Sequence, residues 1–337
     1  MSSDRDSQRI VIAGASSLLG GELKSLLEES RLAAWDLRLV DEEQAAGLLT
    51  EAAGEPAVIQ RVEEDTFHGA RIAFLTGSSK FGRQCLGPAR QAGATIIDFS
   101  HASLSDPDGT PWFPKIEHLT GRSVAKGART FSVFSPGGMA VATLALALRR
   151  HGLQRLVMAL YWPVSEAGRE GIEDLETQTS QLLTFQRVGH RVFGTQTAFN
   201  LLSRYGEESQ QDLRARLLEI RAEVSAAMGD AEEDAKISLN LIHVPVFYGM
   251  AFSACADLAA TVDREALEES CRAAGFVVQA SGEPPPSNVS VAGETSLYLG
   301  EPVKDAGREG SWWFWGACDN LRVPAWSGVK LAEWLTT

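Results

Sequence analysis

Residues 9–28 run RIVIAGASSLLGGELKSLLE, and they carry the clearest indication of the architecture. The opening RIVIA is a short apolar run that predicts a buried strand. GASSLLG at 14–20 follows as a glycine-bearing turn, and the next residues predict a helix with Leu23, Leu26 and Leu27 on one face. A strand, a glycine turn and a helix in this order are the context that a dinucleotide-binding fingerprint requires.

The next segments continue the alternation of strand and helix. LRLV at 37–40, ARIAFLTG at 70–77 and ATIIDFS at 94–100 predict further buried strands. RQCLGPARQAG, just before the last of them, predicts a helix that Gly87-Pro88 interrupts or kinks. DPDGTP at 106–111 predicts a surface loop. We therefore expect a doubly wound parallel sheet in the first part of the chain.

From about residue 134 the pattern changes. SPGGMAVATLALALRR at 135–150 predicts a helix capped by Ser135, with Pro136 in its first turn. The segments that follow predict strands and helices in mixed order: RLVMALYWPVS, REGIEDLETQTSQLLTF, ESQQDLRARLLEIRAEVSAAM, KISLNLIHVPVF, MAFSACADLAATV, TSLYLGEPV and PAWSGVKLAEWL. They indicate an α+β unit with an antiparallel or mixed sheet, and the final helix could return to the first unit.

Composition excludes several classes of partner. The net charge is -13, with 31 Lys and Arg against 44 Asp and Glu. This balance argues against nucleic-acid binding and against a polybasic membrane anchor. The most apolar run, MAVATLALAL at 139–148, is too short to span a bilayer, and the polar N-terminus lacks a signal-peptide core, so we expect a cytoplasmic protein.

The four cysteines are far apart, which predicts reduced thiols and no metal site.

The glycine turn predicts a nucleotide site of altered strength. Ser17 stands where a dinucleotide loop has its second glycine, so the residues weaken the prediction of pyrophosphate binding without excluding it. Val40 is followed by three carboxylates within 41–43, which would repel a 2'-phosphate, whereas Asp41 could accept a ribose hydroxyl. NAD is favoured over NADP if either binds; a solvated acidic loop is the alternative.

Seven segments resemble the aspartate-semialdehyde dehydrogenase family in order and spacing. They are IVIAGASSLLGGEL, IDFSHAS with DPDGTPWFP, VFSPGGMAVATLAL, VSEAGREGIEDLETQT, AFNLL, HVPVFYGM and CDNLRVPAWSGVKLAE. The run at 164–179 is the most specific, because no general rule of folding would produce it. The chain is thereby identified as a member of this family, in the Usg-like branch that lacks the catalytic cysteine.

The resemblance implies an architecture and an activity. It implies a Rossmann-type nucleotide-binding domain of residues 1–133 plus 319–337 and an α+β substrate and dimerisation domain of residues 134–318, hence a homodimer. The family reduces aspartyl phosphate to the semialdehyde with NADPH, through a cysteine thioester. The expected cofactor residues are those of the turn and its surroundings: Gly14, Ser16, Ser17, Leu18, Leu19, Asp41, Gly77 and Asn320.

Position by position, the reactive groups of the family are replaced. The nucleophilic cysteine falls on Gly138, a glutamine on Trp162, the carboxylate-binding arginine on His243 and the catalytic histidine on Met250. These are the four replaced positions. The phosphate-binding arginine falls on Leu104, and the arginine that reads the 2'-phosphate falls near Gln44, with Glu42 where the family often has serine.

The scaffold residues persist around these replacements. Retained positions include Gly168, Gly171, Glu176, Gln178, Thr179, Phe199, Asn200, Asp319, Asn320 and Arg322. The first hypothesis is therefore a non-catalytic homologue that keeps fold and dimer, with weak NAD or NADP binding. The alternatives are a working NAD(P)-dependent oxidoreductase acting on an aldehyde or acyl substrate, and a heteromeric subunit of an active homologue.

Other groups are weak substitutes for the lost chemistry. Cys318 adjoins a carboxylate that raises its pKa, Ser135 is a better helix cap than nucleophile, and His243 is expected to be a packed strand residue. The main-chain N–H groups of 137–139 could still hold an anion. The replaced cleft either closes as core or takes an apolar ligand.

SWWFWG at 311–316 predicts Trp313 and Trp315 on one strand face, as packing near the subunit interface or as a partner surface.

Overall fold

The structure is a computed structural model that describes residues 8–52, 54–124, 127–229, 236–259 and 261–337. Predictions for the N-terminal residues 1–7 and for residue 260 lie outside this part. The chain divides into two compact units. Unit 1 comprises Met1–Pro114, Ser123–Phe134 and Pro324–Thr337, and unit 2 comprises Lys115–Arg122 and Ser135–Val323.

Sixteen strands and eight α-helices make up the described chain. The strands are β1 Arg9–Ala13, β2 Asp36–Asp41, β3 Leu49–Ala52, β4 Glu55–Val58, β5 Gln60–Arg61, β6 Ala70–Leu75, β7 Thr95–Asp98, β8 Gly109–Trp112, β9 Thr130–Val133, β10 Leu153–Trp162, β11 Lys236–His243, β12 Met250–Leu258, β13 Phe276–Val278, β14 Leu297–Leu299, β15 Val303–Lys304 and β16 Ser311–Cys318. The helices are α1 Leu18–Glu28, α2 Ser79–Gln91, α3 Ile116–Thr120, α4 Pro136–Arg149, α5 Gly168–Leu183, α6 Leu213–Met228, α7 Arg264–Ala274 and α8 Arg322–Leu335.

Unit 1 is built on a parallel sheet with the strand order β5-β2-β1-β6-β7-β9-β8. Every pairing in it is parallel, as the alternation of strands and helices predicted. Its central strands are apolar and fully buried because helices cover both faces of such sheets. The strand order reverses beside β1, so the ends of β1 and β6 lie at the switch point where doubly wound folds bind ligands.

Unit 2 contains a mixed sheet in the order β11-β10-β12-β16-β14-β13, with β15 also paired to β16. β10 runs parallel to β11 and antiparallel to β12. Helix α4 is buried along almost its whole length, as its continuous apolar sequence requires. The predicted fold class, a Rossmann-type sheet plus an α+β unit, is confirmed.

The local predictions differ from the structure in three places. Helix α2 continues through Pro88, which lies on the exposed side where water can replace the lost hydrogen bond. Residues 109–111, the end of the predicted loop, belong to the edge strand β8, where Pro111 costs no pairing with a second neighbour. Helix α6 begins at Leu213 and not before it, because the Asp212 side chain accepts the Arg214 N–H and caps it there.

The two units differ from the predicted domains at three segments, the shortest being Phe134, which clusters with unit 1. Lys115–Arg122 belongs to unit 2, and the Lys115 ammonium donates to the Ala273 carbonyl of that unit. Residues 319–323 also cluster with unit 2, whereas Pro324–Thr337 clusters with unit 1. Within the described residues, no helix is both long and apolar enough to cross a membrane.

Candidate functional site

The glycine turn, residues 14–20, joins β1 to α1 in unit 1. Gly14 has a φ of +97°, and a Cβ on it would overlap the backbone of Gly77 at the end of β6. Two glycines therefore allow the two strand ends to approach each other. Ser17 is the N-cap of α1, because its hydroxyl accepts the Gly20 N–H at 2.9 Å.

The turn keeps the features that a pyrophosphate site needs. Ser16, Ser17, Leu18 and Leu19 are half-buried. The N–H groups of Leu18 and Leu19 lie in the first turn of α1, where a helix offers donors that have no partner within the helix. Because the Ser17 side chain is turned towards Gly20, its hydroxyl acts as a cap in the place of a second glycine. The residues present fit a dinucleotide phosphate.

Asp41 holds the turn from the end of β2. Its Oδ2 accepts the Ser16 N–H at 2.7 Å and its Oδ1 accepts the Glu42 N–H at 2.8 Å, and the side chain is buried. Both carboxylate oxygens are therefore engaged by the backbone of unit 1. A ribose hydroxyl that donated to Asp41, as the sequence predicted, would compete with these two backbone N–H groups. The sequence revealed neither of the two bonds.

A cavity of about 1010 Å³ opens beside Asp41 in unit 1. Its lining is strongly acidic: Asp41, Glu42, Glu43, Glu63, Glu64 and Asp65 face a single guanidinium, that of Arg61, with Gln44 beside them. The pKa of Cys85 is raised to about 12, first by burial and then by the charges of Asp41 and Glu42 from this lining. A dianionic phosphate would be repelled in this cavity.

In unit 2, Gly138 lies in the first turn of α4, as the sequence predicted. Ser135 is the N-cap, because its hydroxyl accepts the Gly138 N–H at 3.1 Å, and Pro136 occupies the first turn. A Cβ on Gly138 would overlap the carboxylate of Glu223. The place of a side chain at this position is therefore already filled.

Glu223 is the site residue that sequence reasoning missed. It lies on α6, 88 residues from Ser135, and is 0% exposed. The signal was present, since Glu223 interrupts the buried stripe of α6 formed by Ile220, Val224 and Ala227. A lone carboxylate on an apolar helix face requires a buried partner.

The expected anion site on the N–H groups of 137–139 is wrong for two of its donors. The Gly138 N–H donates to the Ser135 hydroxyl, and the Met139 N–H donates to the Ser135 carbonyl at 2.9 Å. All residues from Ser135 to Met139 are buried. The helix therefore satisfies these donors internally, through its cap and its first backbone bond.

Trp162 ends β10 and is buried, at 3% exposure. A Cβ on Gly137 would lie 3.4 Å from its ring and 3.0 Å from Ile220, so the indole packs closely on the start of α4. A cavity of about 190 Å³ remains beside it in unit 2. That cavity is polar and not apolar, with Glu166, Asp212, Arg216 and Glu219 among its lining residues.

His243 is a packed strand residue, as expected. It ends β11 at 0% exposure, and its Nδ1 lies 3.2 Å from the Tyr205 hydroxyl, with the Phe193 ring 5.5 Å away. Burial lowers its pKa to about 4, against the opposing effect of the Thr197 carbonyl. At neutral pH this side chain is an uncharged imidazole and cannot hold a carboxylate as a guanidinium would.

Met250 and Cys318 are opposite each other on β12 and β16, and both are 0% exposed. Burial and the neighbouring charges of Asp319 and Glu166 raise the Cys318 pKa. The pKa of each of the other three cysteines is also raised, chiefly by burial. All four cysteines are free, and none has the environment of a reactive thiolate. Within the described residues no group of three or more His, Cys, Asp or Glu side chains could hold a metal ion.

Several retained residues maintain the scaffold of unit 2. The Gln178 side-chain carbonyl accepts the N–H groups of Thr197 and Ala198, and Asp319 caps α8 by accepting the Arg322 N–H. Asn320 accepts the Gly249 N–H and donates to Glu166. Its amide is thus engaged inside unit 2, and its role at a cofactor remains a prediction. Leu104, in unit 1, is half-buried.

The aromatic strand β16 alternates as predicted. Trp312 and Phe314 are buried, at 3% and 1% exposure, whereas Trp313 and Trp315 are 44% and 39% exposed. The Trp315 Nε1 donates to the Pro286 carbonyl at 2.7 Å. One sheet face of unit 2 therefore presents two large aromatic side chains to its surroundings.

Comparison with known proteins matches both units to one family. Residues 9–120 match the model described as semialdehyde dehydrogenase, NAD binding domain, and residues 145–323 match semialdehyde dehydrogenase, dimerisation domain. The chain is 29% identical to a USG-1 protein homologue of Azotobacter vinelandii, covering 97% of both chains. It is 25% identical to an aspartate-semialdehyde dehydrogenase of Rickettsia bellii, covering 96% of both. A probable aspartate-semialdehyde dehydrogenase from Pseudomonas aeruginosa superposes with a TM-score of 0.86 at 26% identity, covering 98% of both chains.

Proposed function

Because the chain belongs to the semialdehyde dehydrogenase family, in the USG-like branch supported by the names of its relatives, we propose that it has kept the family's fold and lost its chemistry. In this proposal the protein is a catalytically inactive homologue of aspartate-semialdehyde dehydrogenase. Its function is carried out by binding, through its nucleotide loop and its dimer, and not by turnover.

Gly138 is the observation that carries the proposal. The family's acyl-enzyme needs a thiolate at the start of α4, but this position has no side chain, and a Cβ there would overlap the Glu223 carboxylate. The other cysteines do not substitute, because burial raises the pKa of each of them. Without a nucleophile, no thioester holds the acyl group for reduction.

The remaining replaced positions support the same conclusion. Met250 has no proton to transfer, and Trp162 fills space against Gly137 with an indole ring. His243 is neutral and buried against Tyr205. A proton-transfer group must reach a substrate, and these side chains are all packed within unit 2.

The proposed ligand of unit 1 is NAD in preference to NADP. The half-buried Ser16–Leu19 segment would hold the pyrophosphate through backbone N–H groups, with Gly14 and Gly77 allowing a close approach. The cofactor, when bound, would accept or donate a hydride. Unit 2 forms no acyl thioester with which that hydride could be exchanged. The carboxylates around the 1010 Å³ cavity would repel the 2'-phosphate of NADP.

The proposed assembly is a homodimer formed through unit 2. The match of residues 145–323 to a dimerisation domain supports it, and so does the exposure of Trp313 and Trp315 on one face of the sheet. Large aromatic side chains are enriched in interface cores.

One assay tests the loss of activity. The purified dimer is given aspartate semialdehyde and phosphate with NAD or NADP, and reduction of the cofactor is followed by absorbance. We expect no turnover above the rate without protein. Turnover that disappears on changing His243, Ser135 or Cys318 would refute the proposal, because it would assign catalysis to this chain and not to a contaminant. Quenching of tryptophan fluorescence by NAD tests cofactor binding separately.

A further inference from the structure

A buried carboxylate occupies the N-terminus of α4. The Glu223 Oε1 accepts the Ser135 N–H at 2.6 Å, and its Oε2 accepts the Ser135 hydroxyl at 2.6 Å. We propose that this helix end is an anion site whose ligand is built into the chain, namely the Glu223 carboxylate. The inference rests on the proposed function only in identifying position 138 as the place of the lost nucleophile.

The electrostatics of the helix end favour this arrangement. A helix N-terminus carries a partial positive charge and stabilises an anion placed against it. Here the Gly138 N–H donates to the Ser135 hydroxyl, which in turn donates to Glu223, so Ser135 links the helix to the carboxylate. A charge at 0% exposure needs such partners, because burial without them is costly.

Sterics make the carboxylate and a side chain at position 138 mutually exclusive. A Cβ on Gly138 would overlap the Glu223 Oε2 and would lie 2.8 Å from its Cδ and 3.1 Å from its Cβ. The carboxylate can give way only by breaking its bonds to Ser135. A diffusible anion therefore finds this helix end filled, and Gly138→Cys alone would not restore a thiolate there.

Chemical rescue tests the built-in ligand. Glu223→Ala should lower the melting temperature by about 5 °C or more, because it empties the site. Sodium acetate should then raise the melting temperature of that variant above its value in sodium chloride of equal ionic strength. The parent chain should respond equally to both salts. Glu219→Ala is the matched control, since Glu219 lies one turn earlier on α6 in a partly exposed pair with Arg216.

A second measurement tests the steric exclusion. Alanine normally stabilises a helix relative to glycine, yet Gly138→Ala should lower the melting temperature of the parent chain. In the Glu223→Ala background the same substitution should lower it less, because the overlap with the carboxylate is gone and only the 3.1 Å contact with the Cβ of residue 223 remains. Glu223→Asp covers the case in which Glu223→Ala does not fold, because it keeps the charge and withdraws the carboxylate by one methylene. Gly138→Ala should cost less in that background than in the parent.

Two results would overturn the inference. One is that acetate acts no better than chloride on Glu223→Ala. The other is that Gly138→Ala has the same effect whatever residue stands at 223. None of these measurements uses turnover. Turnover of aspartate semialdehyde by this chain would therefore refute the proposed function and leave this inference standing.

Discussion

The glycine turn and the start of α4 are built alike and used differently. Each follows a strand, each is capped by a serine hydroxyl three residues before the N–H it accepts, and each has a carboxylate bound to a serine N–H. At α1 the residues Ser16–Leu19 stay half-buried, whereas at α4 everything from Ser135 to Met139 is buried. A helix end becomes a ligand site only when its donors remain accessible.

The carboxylates explain this difference. Asp41 binds Ser16, one residue before the cap, and leaves the first turn of α1 accessible. Glu223 binds the cap residue itself through both of its oxygens. The first turn of α1 therefore stays accessible to a ligand, whereas the start of α4 is part of the core of unit 2.

The largest effect that would test this comparison is expected at Gly14. Gly14→Ala places a methyl group in the backbone of Gly77 at a φ of +97°. The overpacking and the strain together should cost about 3 kcal/mol of unfolding free energy. Urea denaturation followed by circular dichroism measures it. Gly21→Ala is the control, because a Cβ there meets nothing within 4 Å and should stabilise by about 0.5–1 kcal/mol.

If Gly14→Ala were as well tolerated as Gly21→Ala, the backbones of Gly14 and Gly77 could not lie as close together as described. The steric argument for the proposed phosphate site at this turn would then fail.

The next effect is the dependence of stability on pH that follows from the burial of His243, one of the four replaced positions. The pKa of His243 is about 4 in the folded chain and about 6.5 when unfolded. Above pH 6.5 neither state binds this proton, and below it the unfolded state binds more protons, so stability falls as the pH drops towards 4. From pH 7 to pH 5 this histidine should contribute a loss of about 2 kcal/mol.

His243→Phe, which cannot titrate, isolates this contribution. Urea denaturation at pH 7 and pH 5 should show a smaller loss for the variant than for the parent chain, because all other groups titrate in both. An equal loss would mean that His243 is accessible to protons in the folded state. The description of the replaced positions as core would then fail at this residue.

The smallest effect concerns the preference of the proposed nucleotide site of unit 1 for NAD over NADP. Replacing Glu42 and Glu43 by glutamine removes two carboxylates from the cavity lining. Each should relieve about 1 kcal/mol of repulsion of a 2'-phosphate, so NADP should bind several-fold more tightly per charge removed. Tryptophan quenching by NADP at low salt measures it. Quenching by NAD is the internal control and should not change; equal gains for both would contradict the charge argument.

Sequence reasoning predicted local features well where a residue's role depends on its chain neighbours. The cap by Ser135, the first-turn Pro136 and the parallel sheet of unit 1 were all predicted from patterns within short windows. It did not reveal the bond between Asp41 and Ser16, which spans 25 residues, or the bond between Glu223 and Ser135, which spans 88. The predicted interruption at Pro88 was wrong for a different reason. Packing of the buried face of α2 outweighed the tendency of proline to break a helix.

The family, the two-part architecture and the absence of a cysteine at position 138 could all be derived from the amino-acid sequence. Those features depend on motif order, on periodicity and on residue identity. The three-dimensional packing was needed to show that Glu223 lies against Gly138 and that the first turn of α1 stays accessible. The physical reason is that a helix terminus is satisfied by whichever polar group folding brings to it, and a carboxylate from a distant helix leaves no local pattern beyond one charge on an apolar face.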